Sequence, residues 1–185
     1  IAPNLNVKKV YLSYRLEEKD YQDSSIIDNN TYFFKGSVPE ATRVHIAAVY
    51  KKDKEFNFNR DVAELYIEAS DITVNHLDSF SQGNVQGSKS QQTYLKMKAR
   101  LKKSNDELLR LMQQHNQFID ESKKEEVFKI NEEIDKIMID QRSIFHSFFL
   151  ENISSPFAIH ILISYEYTGA MPEQVDSLFA QLPSE

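Results

Sequence analysis

The chain has 185 residues, 41% of them hydrophobic and 27% charged, with a formal net charge of −6 and no cysteine. That length and balance suit one domain or two small ones with a real apolar core, and they exclude global disorder. Without cysteine there is no disulfide, no redox dithiol and no cysteine-type zinc site, and a net-negative chain lacking a basic stripe is not built for nucleic acid.

Residues 9–15 alternate Val10, Leu12 and Tyr14 with Lys9, Tyr11 and Ser13, the period of a strand. Residues 23–27 lead into Asp28-Asn29-Asn30, a turn signal, and the aromatic run 31–35 follows as far as Gly36, so a hairpin is expected here. Residues 43–50 alternate again, with Val44, Ile46, Ala48 and Tyr50 on one face. The polar stretch 51–59 reads as a loop or hairpin end. Residues 62–69 and 72–77 are two more strands, joined at Ser70-Asp71. Short strands at this spacing predict an antiparallel sheet or sandwich.

Around residues 81–90 the pattern changes to a glycine- and serine-rich connector. Beyond it Tyr94, Met97, Leu101, Leu108, Leu111, Met112 and Phe118 recur at helical spacing, and Ser88 or Ser90 is placed to cap the helix they predict over 91–119. A break at 120–122 precedes a second long helix, 123–151, with Val127, Ile130, Ile134, Ile137, Met138, Ile144, Phe145, Phe148 and Phe149 as its apolar set. Two such helices across a short break pack antiparallel. Ser154-Ser155-Pro156 predicts a cap with proline at the first helical position of a third helix, 156–165, which Thr168-Gly169 ends. A fourth covers 173–182. The expected architecture is α+β: an antiparallel β domain over 1–87, sandwich or sheet, then a helical segment over 88–185 built on a long two-helix hairpin.

Few residues suggest chemistry. Gly83 to Ser90 follows a strand and opens a helix, as a phosphate-binding loop does, but three residues separate its glycines and Ser88 stands where the lysine is needed. The histidines are His45, His76, His115, His146 and His160, and no two lie four apart on a helix. His45 and His76 fall in strands, and His146, among Phe145, Phe148 and Phe149, is expected to be partly buried. Glu132, Glu133 and Asp135 lie beside Lys129 and Lys136 on a solvated helix face, without the Glu-x-x-His of a di-metal site. Twelve Phe and nine Tyr are many for this length. Tyr32, Phe33 and Phe34 could turn a ring or two outward as a glycan- or peptide-binding surface, but core packing is the simpler account. No catalytic, cofactor-binding or metal-binding residue is assigned, and no cofactor is expected.

The order of these segments resembles a known family. A strand over 9–14 is followed by Asp23-Ser24-Ser25-Ile26-Ile27, then by Asp28-Asn29-Asn30-Thr31-Tyr32-Phe33-Phe34-Lys35-Gly36. A strand pair over 64–77 comes next, then Val85-Gln86-Gly87-Ser88 entering long charged helices, then residues 152–162. This is similar to the domain of unknown function at the N-terminus of many thioredoxin-like (TlpA and AhpC/TSA type) envelope proteins of Gram-negative bacteria. The resemblance implies a helical segment leading into a C-terminal thioredoxin fold with Cys-x-x-Cys, and no Cys-x-x-Cys exists here. It therefore implies a non-catalytic accessory domain of a periplasmic or envelope thiol–disulfide oxidoreductase, a lipoprotein anchored upstream being one form. The partners implied are that thioredoxin-like domain on the same polypeptide, with protein substrates or a second copy as further candidates, and neither nucleic acid nor a membrane span within the chain. Two other readings stay open: a stand-alone envelope protein binding glycan or peptide, and a helical scaffold that offers 91–151 to a partner.

Overall fold

The computed structural model describes residues 6–50 and 61–183, so the expected loop at 51–59 lies outside the described residues. Two compact units divide the chain, 1–92 and 93–185. The class is α+β: an N-terminal antiparallel β region followed by four helices.

In the first unit, β1 (Val7–Leu16), β2 (Lys19–Ile26), β3 (Thr42–Tyr50) and β4 (Val62–Ile67) form an antiparallel sheet of order β2-β1-β3-β4. A separate ribbon pairs β5 (Thr73–His76) with β6 (Gly83–Gln86). The alternation along β1 and β3 sends Val10, Val44, Ile46 and Ala48 into a core shared with Ala63 and Leu65 of β4 and with Val74 and Phe80 of the ribbon region. Phe80, Val10 and Val44 are wholly enclosed, and each such side chain contributes about 1.5–3 kcal/mol by leaving water.

Three expectations are corrected. The opening hairpin is β1–β2, with Leu16 opposite Lys19 across the two-residue turn Glu17-Glu18. Both turn residues have positive φ, 47° and 64°, as the tight hairpin turns that follow strand twist require. The turn at Asn29-Asn30 also forms, closed by reciprocal Asp28 and Thr31 backbone hydrogen bonds of 2.9 and 2.8 Å. Residues 32–35 beyond it do not enter a ladder. Tyr32 and Phe34 instead pack onto the core, and the Phe33 amide donates to the Ser25 hydroxyl at 3.1 Å. Finally, the strands at 62–69 and 72–77 are not partners: β4 pairs with β3, and β5 with β6, a strand inside the expected connector.

The second unit is helical. α1 (Lys89–Asp120), whose first turn belongs to the first unit, and α2 (Lys124–Glu151) run antiparallel. They are tied by a bidentate Arg100–Glu151 pair at 3.0 and 2.5 Å and by Gln141, whose buried amide donates to Ser104 Oγ at 3.0 Å and Asn105 Oδ1 at 2.8 Å. Ser122 takes positive φ (57°) and α1 closes with Lys123 N–H on the Phe118 carbonyl and Ser122 N–H on that of Ile119, the Schellman arrangement usually ended by glycine. α3 (Ala158–Tyr167) and α4 (Pro172–Phe179) complete the unit. Phe145, Phe148 and Phe149 of α2 are buried, as are Phe157, Ile161, Leu162, Tyr165 and Leu178. α3 begins two residues later than expected, because Ser155 caps the Phe157 amide in the preceding turn at 3.2 Å. Proline opens α4 instead, at Pro172. No described helix is long and apolar enough to cross a membrane.

Candidate functional site

Chemistry-bearing groups converge beneath the turn that joins β5 to β6. His76 ends β5 at 1% exposure, and its Nδ1 lies 2.7 Å from the Phe80 carbonyl oxygen. A carbonyl only accepts, so Nδ1 carries the proton and Nε2 is left to accept the Tyr32 hydroxyl at 2.8 Å. The imidazole stacks on the Phe80 ring, centroids 3.7 Å apart. Gly83, opposite His76 in the ribbon, makes room for it: a Cβ there would stand 3.3 Å from Nδ1. Burial pushes His76 below its ordinary value, against the hydrogen bond to Phe80 and the charge of Asp61, and it pushes the Tyr32 hydroxyl far up.

Asp61, just before β4, holds the same turn from the other side. Its Oδ2 accepts the Phe80 amide at 2.6 Å and also the Tyr50 hydroxyl, and its Oδ1 accepts the Ser81 amide at 2.7 Å. Burial alone would raise this carboxyl, but the hydrogen bonds from Tyr50, Phe80 and Ser81 together hold it below its usual range. A neutral enclosed imidazole, a tyrosine that keeps its proton and a carboxylate occupied by donors form a structural network and supply no exposed nucleophile or general base.

The phosphate-like segment is occupied from within. Ser88 is the N-cap of α1, its hydroxyl accepting the Gln91 amide at 2.9 Å. The Glu68 carboxylate sits at the helix start, 2.5 Å from Lys89 N and 2.8 Å from Ser88 Oγ. An internal anion thus fills the place where a phosphate would bind. Gln91 and Ser88 also reach the outer edge of β4: Gln91 Oε1 accepts the Tyr66 amide at 2.9 Å, and Ser88 Oγ lies 2.9 Å from the Tyr66 carbonyl oxygen.

The other candidates stay apart. His45 and Arg43 both face Glu64 on the sheet, at 3.4 and 3.5 Å. His160 stacks on Phe157, centroids 5.2 Å apart. His146 is exposed, contrary to expectation, because its neighbours Phe145, Phe148 and Phe149 take the inner face of α2. Glu132, Glu133 and Asp135 are exposed, and among the described residues no group of three or more His, Asp or Glu could hold a metal ion. Of the aromatic triplet, Tyr32 and Phe34 face the core and Phe33 is 74% exposed. An open groove of about 730 Å³ along α1 is lined by Arg100, Lys102, Asp106, Glu107 and Arg110 among others. Its charges are matched locally, as in Lys102–Asp106 and Glu107–Arg110, both at 2.5 Å.

Asp61, Glu68 and Gln91 were not singled out in the sequence. Each is a common polar residue whose partners lie 11 to 25 positions away, and no spacing rule marks such a pair.

The family model described as "Domain of unknown function (DUF4369)" matches residues 1–94. The chain belongs to this family. The DUF4369 match takes in the sheet, the ribbon and the first turn of α1, and therefore both polar networks described above. No curated protein and no solved structure matches the chain.

Proposed function

We propose that this DUF4369 chain is a non-catalytic accessory module of a thioredoxin-like thiol–disulfide oxidoreductase of the cell envelope. Its role there is to position or dimerise a redox domain carried on the same polypeptide, or to select that domain's partners. The observation that carries the reading is the match over residues 1–94 in a chain with no cysteine. The order of segments, which resembles the region ahead of such thioredoxin folds, supplies the redox and periplasmic parts of the reading. The networks at His76 and at Glu68 support it too, since both hold structure together and present no reactive group to solvent. The test is the native gene on both sides of the segment. A Cys-x-x-Cys downstream of Glu185 with a lipoprotein signal upstream of Ile1 is the expected finding, and a stop codon directly after Glu185 would overturn the reading.

One observation favours a second reading, a glycan- or peptide-binding surface: Phe33 and Ile26 stand 74% and 75% exposed along the β2 side of the sheet. Titration with oligosaccharides and extended peptides, against a Phe33→Ala control, tests it. Binding that the control abolishes supports this reading, and no signal with any probe removes it.

A further inference from the structure

The geometry points to a proton-operated latch: His76, gripped between the Tyr32 hydroxyl and the Phe80 carbonyl, holds the arm at 28–38 against the β5–β6 ribbon and lets it go when the imidazole gains its second proton.

In the neutral state every polar atom of the chain Tyr32 O–H, Nε2, Nδ1–H and Phe80 O=C has its partner. A second ring proton turns Nε2 from acceptor into donor. It then faces a hydroxyl that must reverse and leave its own proton without that acceptor. The charge also arises at a site of 1% exposure between aromatic rings, Phe80 at 3.7 Å and Tyr32 at 5.8 Å between centroids. Among the described residues, the charged or titratable groups facing the imidazole are Tyr32 from the arm and Asp61 from the start of β4. Tyr32 keeps its proton, so it supplies no counter-charge. Asp61 favours the charged ring, but its oxygens already serve Tyr50, Phe80 and Ser81, and burial prevails.

The arm yields before the sheet because it has no ladder. Among the described residues its attachments are the Asp28–Thr31 turn bonds, the Phe33 amide on Ser25, the packing of Tyr32 and Phe34, and the Tyr32–His76 bond. The sign follows from His76 holding its proton less firmly when folded than the ordinary 6.5. The latch is whole above that value and is lost as pH falls through the lower folded value.

Hydrogen exchange of the whole chain at about pH 7.5 and about pH 5, corrected for intrinsic rates, reads the latch directly. Protection of peptides covering 28–38 and 77–82 is expected to fall about tenfold at the lower pH, with β1 and β3 peptides unchanged. His76→Gln should abolish the difference. Should that variant fail to fold, Tyr32→Phe serves: it leaves Nε2 without its donor, so the same peptides should be poorly protected already at the higher pH. Equal protection of the arm at both pH values in the parent chain, or a loss spread evenly over β1 and β3, overturns the latch.

Discussion

The Glu68 carboxylate and the Ser88 hydroxyl meet at 2.8 Å, joining the chain just past β4 to the first turn of α1. Glu68 places negative charge where the helix dipole and its free amides are positive, and Ser88 takes up the Gln91 amide. Glu68→Gln should cost about 1 kcal/mol and Ser88→Ala about 1–2 kcal/mol. Because the two groups share one contact, the double variant should lose less than the sum of the single losses. Guanidinium midpoints at unchanged slope measure all three.

Ser90 gives the opposite expectation. It is enclosed in the same helical turn, and its hydroxyl has no hydrogen-bond partner among the described residues. Removing a buried unsatisfied group relieves its desolvation cost, and alanine favours helix. Ser90→Ala should therefore be neutral or stabilise by up to about 1 kcal/mol, seen as an unchanged or raised thermal midpoint.

Asp61 sets an acid limit. With its folded carboxyl held below 3.8, the native state binds fewer protons than the unfolded chain wherever the two differ. Its contribution is complete above pH 3.8 and is lost as pH falls through the folded value. In Asp61→Asn a single amide oxygen replaces two carboxylate oxygens, so the donors of Tyr50, Phe80 and Ser81 are no longer all served. A loss of about 2 kcal/mol at neutral pH is expected, together with a flatter acid limb in a stability–pH profile.

Two glycines should part sharply. Gly87 has φ of +90°, and a Cβ there would lie 2.0 Å from the Asp71 carbonyl oxygen, whereas one on Gly36 meets none of the described residues within 4 Å. Gly87→Ala should cost more than about 3 kcal/mol, and Gly36→Ala should stay within about 0.5 kcal/mol. Parallel denaturation of the two variants checks both.

What could be seen in the sequence follows from where its periodicity lives. Val10, Leu12 and Tyr14 in β1, and Val44, Ile46 and Ala48 in β3, alternate because one sheet face is buried, and both strands stood out. The helices were equally visible, since Met97, Leu101 and Leu111, or Ile130, Phe145 and Phe148, must share an inner face. β2 was only half visible, because every residue of it except Ser25 is exposed and its turn is two glutamates rather than asparagine or glycine. β6 was hidden for a similar reason: Val85 is its one apolar residue, and Gly83 is small because His76 lies opposite. The aromatic run at Tyr32 misled in the other direction, since its in–out alternation is that of a strand although its bonds go to His76 and Ser25. Which strands pair, and which distant polar groups meet, depends on contacts no local pattern encodes.

Gln91 and Ser88 have a practical bearing on where the polypeptide can be divided. They cover the Tyr66 amide and carbonyl, the outward-facing groups near the end of β4. A fragment stopping at Gly87 would leave that border bare and able to zip onto a neighbouring molecule. Carrying the cut a few residues further, past Gln92, keeps the closure inside the fragment, so a difference of five residues should separate a preparation that clumps from one that stays dispersed.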